Sequence, residues 1–253
     1  GLGEGRLHET YNLQAAMAEC SVWSHTLARA DELPKVLARA FSIFASERPG
    51  PVHLTIPLDV ITSAANSVSV EAWPLPSRPA PDTESVQRAG QMLSAAKKPL
   101  LALGGGCADA GESIRQLVDK LGAPVTLTHN ARGILAADHP LLVKSSVSYG
   151  PARDLFKEAD VVLAIGTEFS ETDYDFFFDG GFAIGGKLIR IDIDAAQLSR
   201  NVRAAIPIRA DAALAADALS PLIDNANLDG EKRTGAANEL LADLDSKDYQ
   251  DFL

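Results

Sequence analysis

Between residues 82 and 224, short apolar runs alternate with amphipathic segments of helical period, and this alternation constrains the fold more than any other feature. The runs, each of strand length, are PLLALGGG, APVTLT, DVVLAIG, GKLIRIDID and AIPIRAD. Continuous apolar strands separated by helices are typical of a parallel sheet that is covered on both faces. The pattern therefore predicts the α/β fold class, with 82–224 forming one central domain doubly wound around a parallel sheet. We expect this sheet to be six-stranded, one strand more than these five runs.

Residues 1–60 carry the pattern of only one helix and one strand. The helix is predicted over 31–46, with Asp31 as its cap, Pro34 in its first turn and an apolar stripe of Val36, Leu37, Ala40, Phe41 and Phe44. The strand lies in RPGPVHLTIPLDV at 48–60, where apolar residues alternate. One helix and one strand cannot bury their own faces, so we interpret 1–60 as the C-terminal part of another α/β domain.

Two segments have the composition of connections. Residues 61–81 combine four prolines with many serines and alanines, which predicts an extended, semi-rigid linker. Residues 225–253 are acidic and weakly patterned, and we expect a linker or a marginal helix there, leading toward a missing domain. The chain opens with Gly1 and no initiator methionine, so we expect that it does not begin where its gene begins.

The charge balance and the cysteines narrow the class of protein. Lys and Arg number 23 against 34 Asp and Glu, a formal net charge of −11, which argues against a nucleic-acid partner. The apolar runs are too short to span a membrane. Cys20 and Cys107 are too few and too far apart for a disulfide framework or a zinc site. With no signal peptide in view, we expect a cytoplasmic protein.

Candidate ligand-binding residues follow three of the predicted strands. They are Gly104, Gly105 and Gly106 after the first, Gly166 after the third, and the acidic pair Asp192 and Asp194 after the fourth. Ligands of open α/β sheets bind at the carboxyl ends of strands, so these residues predict a dinucleotide cradle. Asp109 stands where the third glycine of a G-x-G-x-x-G motif belongs. Tight turns between packed elements are the alternative explanation of the glycines.

The histidines and one acidic run give weaker signals. His53 is expected to pack on the far face of its strand, and His129 and His139 lie in loops with no metal-ligand spacing. His8, beside Glu9, is a candidate for acid–base chemistry. An acidic run surrounds the aromatic triplet at 176–178 and consists of Glu168, Glu171, Asp173, Asp175 and Asp179. We interpret this run as a solvated loop or as a partly buried subunit contact.

The chain resembles a known enzyme superfamily. ERPGPVHLTIPLDV is similar to the end of the first, pyrimidine-binding domain of thiamine diphosphate-dependent enzymes of the acetolactate synthase and 2-oxo acid decarboxylase type. The proline-rich linker, KKPLLALGGG, APVTLT, ADVVLAIGTEF and LIRIDIDAAQL then resemble that family's central domain, in order. The resemblance covers most of residues 1–224.

The resemblance implies thiamine diphosphate and Mg²⁺ as cofactors of the full-length enzyme. No residue here matches the family's activating glutamate, which we expect upstream of Gly1. The Gly-Asp-Gly motif that holds the diphosphate and metal is absent from this sequence, and we expect it beyond Leu253. The stretch LHE at 7–9 resembles F-Q-E of acetolactate synthases, which places His8 near the cofactor. Val22 begins VWSH, where the family often has a lysine.

The resemblance also bears on flavin. Flavin-binding members hold FAD through the glycine loop, an arginine after the glycine of the strand that corresponds to DVVLAIG, and the acidic pair. Glu168 replaces that arginine here, and a carboxylate facing a pyrophosphate repels it, so FAD is not expected. LHE, WSHT and ETDYDFFFDGG resemble non-flavin decarboxylases of larger 2-oxo acids, such as those of arginine catabolism.

These observations predict that the chain is a fragment of a lyase or transferase that acts on a small 2-oxo acid. Of the activities considered, they favour a decarboxylase. The alternatives are an FAD-containing acetolactate synthase-type carboligase and a stand-alone nucleotide-binding module. We expect the full-length enzyme to be a homodimer or homotetramer, since the family places active sites between subunits. We expect this chain alone to be inactive.

Overall fold

A computed structural model describes residues 4–5, 9–66, 68–69, 71–174, 182–224 and 229–252, with the side chains of the last helix described up to residue 243. The chain divides into two compact units, Gly1–Arg78 and Pro79–Leu253. The division falls inside the segment that the sequence predicts as a linker. Within the described ranges, no helix has both the length and the apolar character needed to cross a bilayer.

The first unit contains a two-stranded parallel sheet with short helices around it. Strand β1 (Trp23–Thr26) pairs with β2 (Val52–Thr55), in a register that places Trp23 opposite Val52. The helices are α1 (Leu13–Ala18), α2 (Leu33–Ser46) and α3 (Leu58–Ile61). His53 of β2 lies 3.0 Å from the Ser24 hydroxyl through Nδ1, so its ring is held by its neighbouring strand.

Helix α2 differs from its sequence prediction in two respects. Pro34 lies in its first turn as predicted, but Asp31 pairs with Arg29 and does not cap the helix. The buried residues are Val36, Ala40 and Ile43, spaced four and three apart on one face. The adjacent apolar residues Leu37, Phe41 and Phe44 are 38–52% exposed. Two of these three residues, Leu37 and Phe41, line an apolar groove of about 550 Å³. Trp73 and Leu75 are among the other residues that line it.

The second unit is built on a parallel sheet of five strands, which confirms the predicted α/β class. The strands are β3 (Pro99–Leu103), β4 (Val125–Leu127), β5 (Val161–Ile165), β6 (Lys187–Asp192) and β7 (Ile206–Arg209). Their spatial order is β4-β3-β5-β6-β7. Three helices lie in the connections between strands: α5 (Gly111–Leu121), α6 (Gly150–Glu158) and α7 (Glu171–Tyr174). Helix α4 (Thr83–Ala95) precedes β3, and α8 (Ala212–Leu219) and α9 (Gly230–Phe252) follow β7.

Two hydrophobic cores cover the two faces of this sheet. Along β3, Leu101 and Leu103 belong to one core, and Leu100 and Ala102 to the other. The alternation follows from the two-residue period of a strand, and it explains why the strands read as continuously apolar. The first core includes residues of α4, α5 and α8, and the second includes residues of α6 and α9. The domain is therefore doubly wound.

Local signals fix several helix ends. The Asp82 carboxylate accepts a hydrogen bond from the Ser85 amide at 2.8 Å and caps α4, as predicted. Gly122 ends α5 in the left-handed conformation, with φ +62°. At α8, Asp211 accepts from the amides of Ala213 and Leu214.

The prediction of six strands is wrong: within the described residues the sheet has five. A sixth segment reaches the free edge of β4 but forms only a single bridge, between Val125 and Leu142. The outer side of that segment is occupied by an asparagine from α9: Asn238 donates through Nδ2 to the Leu142 carbonyl at 3.0 Å and accepts from the Lys144 amide at 3.0 Å. These two groups are the ones that a further strand would use.

Helix α9 lies in the region that the sequence indicated as a linker or marginal helix. Thr234, Ala237 and Leu241 are buried on it. The Arg233 guanidinium donates from Nη1 to the Pro99 carbonyl at 2.9 Å. This part of the helix is therefore an integral element of the second unit.

Candidate functional site

The topological switch point of the sheet lies between β3 and β5. From β3 the chain proceeds to β4 on one side, and from β5 it proceeds to β6 and β7 on the other. The carboxyl ends at such a point are where open α/β sheets bind ligands. The structure places two of the three predicted groups here, Gly104–Gly106 and Gly166. The third group, Asp192 and Asp194, lies at the carboxyl end of the neighbouring strand β6, whose last residue is Asp192.

At the switch point the two glycine loops pack directly on each other. The Gly104 amide donates to the Ile165 carbonyl at 2.9 Å, and the Gly106 amide donates to the Gly166 carbonyl at 3.1 Å. A Cβ on Gly104 would collide with the Gly166 carbonyl oxygen, and a Cβ on Gly106 would lie 2.8 Å from the Gly166 Cα. Gly166 itself has φ +60°. Close backbone packing therefore explains these three glycines without a ligand, as the alternative interpretation of the sequence held.

Gly105 has a different neighbour. A Cβ there would lie 2.9 Å from the Cβ of Asn130, in the turn that follows β4. The amides of Gly104 and Gly106 are already used by carbonyl oxygens, so they are not free to hold a phosphate. Ligand binding at these glycines stays a prediction.

The acidic pair organises its own loop. Asp192 is the last residue of β6 and is 7% exposed, and its Oδ1 accepts from the Asp194 amide at 2.9 Å. Asp194 in turn accepts from the Ala196 amide at 2.9 Å. Side chains that bond to amides two residues on are a standard way for aspartate to shape a turn. A role in binding ribose or adenine stays a prediction for both.

Sequence reasoning missed a buried arginine beneath this edge. Arg190, in the middle of β6, is fully buried, and its guanidinium donates to three backbone carbonyls: Thr167 at 3.1 Å, Glu168 at 3.2 Å and Arg200 at 2.6 Å. Its Cζ lies 5.1 Å from the centre of the Phe169 ring. Burial lowers the pKa of Arg190 from its ordinary value, although arginine stays charged in proteins. The signal available was a charged residue inside an otherwise apolar strand, LIRIDI.

Arg190 fixes the backbone that follows β5. Phe169 there has φ +50°, which is unusual for a large side chain. Asn201 adds hydrogen bonds from Nδ2 to the carbonyls of Glu168 and Phe169, at 3.2 and 2.9 Å. Glu168 therefore lies on a turn held from two sides.

The thiol and the phenol near the switch point are structural. Cys107 is fully buried, and its Sγ donates to the Ile165 carbonyl at 3.3 Å. Burial raises the pKa of this thiol to about 12, so it is not a ready nucleophile. Burial also raises the pKa of Tyr174, whose hydroxyl lies 3.1 Å from the Thr167 Oγ1.

The acidic–aromatic run is only partly described. Tyr174 packs with Phe169 and Phe182 at ring-centre distances of 4.9 Å each, so aromatic residues flanking the run are buried. Asp175, Asp179 and the aromatic triplet at 176–178 lie outside the described residues. Both interpretations of the run, a solvated loop and a subunit contact, stay predictions.

The histidines do not converge on one site. His129 contacts Asp173 twice, through Nδ1 at 2.9 Å and through its amide at 3.1 Å. His139 lies 3.4 Å from the Asp119 carboxylate. His8 lies outside the described residues. Among those that are described, no three His, Cys, Asp or Glu side chains are grouped so as to hold a metal ion.

The fold and the edge at the switch point define the class of protein: a doubly wound α/β domain whose candidate ligand site lies at the carboxyl ends of its strands. Residues 86–219 match the family described as "Thiamine pyrophosphate enzyme, central domain". The chain therefore belongs to the thiamine diphosphate-dependent enzyme family.

Its relatives include both decarboxylases and synthases. The chain is 37% identical over 220 residues to the "Probable 2-ketoarginine decarboxylase AruI" of Pseudomonas aeruginosa, a match that covers 87% of this chain and 39% of that protein. It is 34% identical over 200 residues to the acetolactate synthase isozyme 1 large subunit of Escherichia coli, covering 77% and 35%. The chain thus spans well under half the length of these relatives.

Solved structures agree with this assignment. The crystal structure of benzoylformate decarboxylase from Polynucleobacter necessarius superposes with a TM-score of 0.69 at 26% identity, covering 80% of this chain and 38% of that one. The predicted resemblance to the superfamily is confirmed.

The cofactors that the family implies do not fit the described residues. The sequence has no Gly-Asp-Gly, and the described side chains form no metal site. No residue described here can be assigned to the diphosphate of thiamine diphosphate or to its metal. For a flavin pyrophosphate, two of the three glycine amides are engaged and Glu168 adds a negative charge after β5.

Proposed function

We propose that this chain supplies the central domain, and the end of the pyrimidine-binding domain, of a thiamine diphosphate- and Mg²⁺-dependent enzyme that decarboxylates a 2-oxo acid without flavin. The observation that carries the proposal is the 37% identity to a 2-ketoarginine decarboxylase over 87% of the chain. By comparison, the identity to the acetolactate synthase of Escherichia coli is 34%, over 77% of the chain.

In such an enzyme, bound thiamine diphosphate supplies the electron sink that makes loss of CO₂ from a 2-oxo acid feasible. The contribution of this chain is scaffolding. Its paired glycine loops lock the ends of β3 and β5 together, and Arg190 holds the turn that follows β5. Rigid support of this kind keeps the positions of the groups in an active site within the small deviations that catalysis tolerates.

Two observations favour a flavin-free decarboxylase over an FAD-containing carboligase. Glu168 stands where flavin-binding relatives have an arginine, and the amides of Gly104 and Gly106 already donate to carbonyls. The same two amides weaken the case for a stand-alone nucleotide-binding module. The carboligase remains the second candidate because acetolactate synthases are also relatives.

The test uses the full-length protein from the natural gene, assayed with thiamine diphosphate and Mg²⁺. We expect CO₂ release from 2-ketoarginine or another long 2-oxo acid, an aldehyde product and no absorbance near 450 nm. Omitting either cofactor from stripped enzyme is the control. A yellow enzyme that condenses two 2-oxo acids would replace this proposal with the carboligase. Light scattering of the same protein tests the proposed homodimer or homotetramer.

A second measurement addresses this chain alone. Because its described residues include no diphosphate or metal ligands, titration with thiamine diphosphate and Mg²⁺ should release no binding heat in calorimetry. Micromolar binding would show that the cofactor is held by residues of this chain after all.

A further inference from the structure

A small cavity of about 270 Å³ lies beside the carboxyl end of β4. Leu127, the last residue of β4, and Leu142 of the single-bridge segment form apolar walls. Arg132, Lys144 and Ser145 bring polar groups to the same cavity. Its volume is slightly below the range of drug-sized sites, so it suits a ligand of few atoms.

The two cations of this cavity have no acidic partner. Within the described parts of the chain, the side chains of Arg132 and Lys144 form no ion pair and no hydrogen bond, and none of the residues that line the cavity is acidic. The chain as a whole carries 34 acidic residues against 23 basic ones. Two unpaired cations around one concavity are therefore a notable arrangement in so acidic a protein.

Hydrogen bonding and a helical turn position the backbone from which the two cations extend. The Lys144 amide donates to the side chain of Asn238 on α9, which fixes the point from which the lysine extends. Arg132 follows the short helical turn His129–Ala131. Next to it, Gly133 has φ +96° and no atom within 4 Å of the position that a Cβ would take, so this wall is open.

We propose that this cavity binds a small oxyanion, a carboxylate or a phosphate. A guanidinium matches either group with two parallel N–H donors, and a lysine ammonium adds a point charge. The Ser145 hydroxyl is a further donor, and the leucine walls would contact a short apolar part of the ligand. The proposal does not depend on the decarboxylase function.

The test is a titration of the ¹⁵N-labelled chain with sodium phosphate and, separately, with sodium pyruvate, at constant ionic strength set with NaCl. We expect saturable shifts of the Gly133 and Ser145 amide signals with at least one of the two anions. R132Q and K144Q should each weaken binding about tenfold, since each removes a charge-assisted contact. K120Q, which removes an exposed lysine of α5 outside the cavity, should leave the affinity unchanged.

The two anions separate the two sources of the ligand. Saturation by phosphate alone supports a phosphate site, and saturation by pyruvate alone supports a carboxylate site. Shifts that do not saturate with either anion, or that K120Q weakens as much as R132Q does, would overturn the proposal. The spectra of the variants report their folding directly, so a loss of binding is interpretable only where signal dispersion is kept.

Discussion

Two buried polar side chains, Arg190 and Cys107, show how differently single residues contribute at the edge of the sheet. The arginine is engaged with three carbonyls and holds a turn, whereas the thiol makes one weak hydrogen bond and fills space. Each leads to a test by substitution or by labelling.

Replacing Arg190 with methionine should lower the free energy of unfolding by at least about 2 kcal/mol, because the carbonyls of Thr167, Glu168 and Arg200 lose their donor. R209M, on the neighbouring strand, removes an exposed arginine and should cost less than about 0.5 kcal/mol. Urea unfolding measures both. Equal stability of the two variants would mean that the buried guanidinium contributes no net stabilisation.

The two cysteines should differ sharply toward a thiol reagent. Cys20 is exposed, whereas burial raises the pKa of Cys107 to about 12, so at pH 8 its reactive thiolate is scarcely populated. In native protein at pH 8, DTNB should react rapidly with one thiol per chain, and with the second only after denaturation. The C20S variant is the control, and fast labelling of native C20S would contradict the burial of Cys107.

At this scale the sequence indicates glycines and caps better than it indicates buried polar contacts. Asp82 and Gly122 act through bonds to the nearest turn of backbone, so their roles are visible locally. Asp31 was predicted as a cap, but an arginine two residues before it competes for the same carboxylate. The role of Arg190 depends on carbonyls up to 23 residues away, which no local pattern reveals.

At the scale of elements, the switch point depends on two loops that approach each other without side chains. G104A should destabilise the protein by about 1–3 kcal/mol, because its methyl group collides with the Gly166 backbone. G235A on α9, where nothing lies within 4 Å, should stabilise by up to about 1 kcal/mol through helix propensity. Thermal unfolding followed by circular dichroism compares the two, and a neutral G104A would disprove the tight packing.

The strands of the second unit were predictable because a strand that is buried on both faces of its sheet has a continuously apolar sequence. The missing sixth strand was not, since one bridge at Leu142 leaves no comparable pattern. Helix α9 is attached partly through polar side chains, Arg233 and Asn238, that bond to backbone groups. A helix held in this way shows little hydrophobic periodicity, so the sequence indicated only a linker or marginal helix.

At the scale of the whole molecule, the two compact units differ in what stabilises them. The first rests on a two-stranded sheet, an arrangement that is marginal by itself, and the second has two buried cores. Both tryptophans, Trp23 and Trp73, belong to the first unit. Intrinsic fluorescence therefore reports on that unit, while far-ultraviolet circular dichroism reports mainly on the helices of the second.

We expect the fluorescence transition to occur at lower urea than the circular dichroism transition at 222 nm, because the less stable unit should unfold first. W73F leaves Trp23 of β1 as the sole reporter and should show the same early transition. Coincident transitions in both proteins would indicate that the two units unfold as one.

The resemblance to thiamine diphosphate enzymes was also a property of the whole molecule, carried by motifs spread from the segment at 48–60 to the acidic pair at the end of β6. No single motif among them was specific. Their order along the chain identified the family.

The asparagine of α9 at the sheet edge has a consequence for how the protein behaves at high concentration. An unfinished row of backbone donors and acceptors is a template on which another polypeptide can assemble, and proteins protect such rows from self-association. Here a single primary amide, Asn238, imitates the peptide group of the next strand by satisfying the Leu142 carbonyl and the Lys144 amide together. This edge of the sheet is thereby terminated by a side chain at the two backbone groups on which a further strand would assemble.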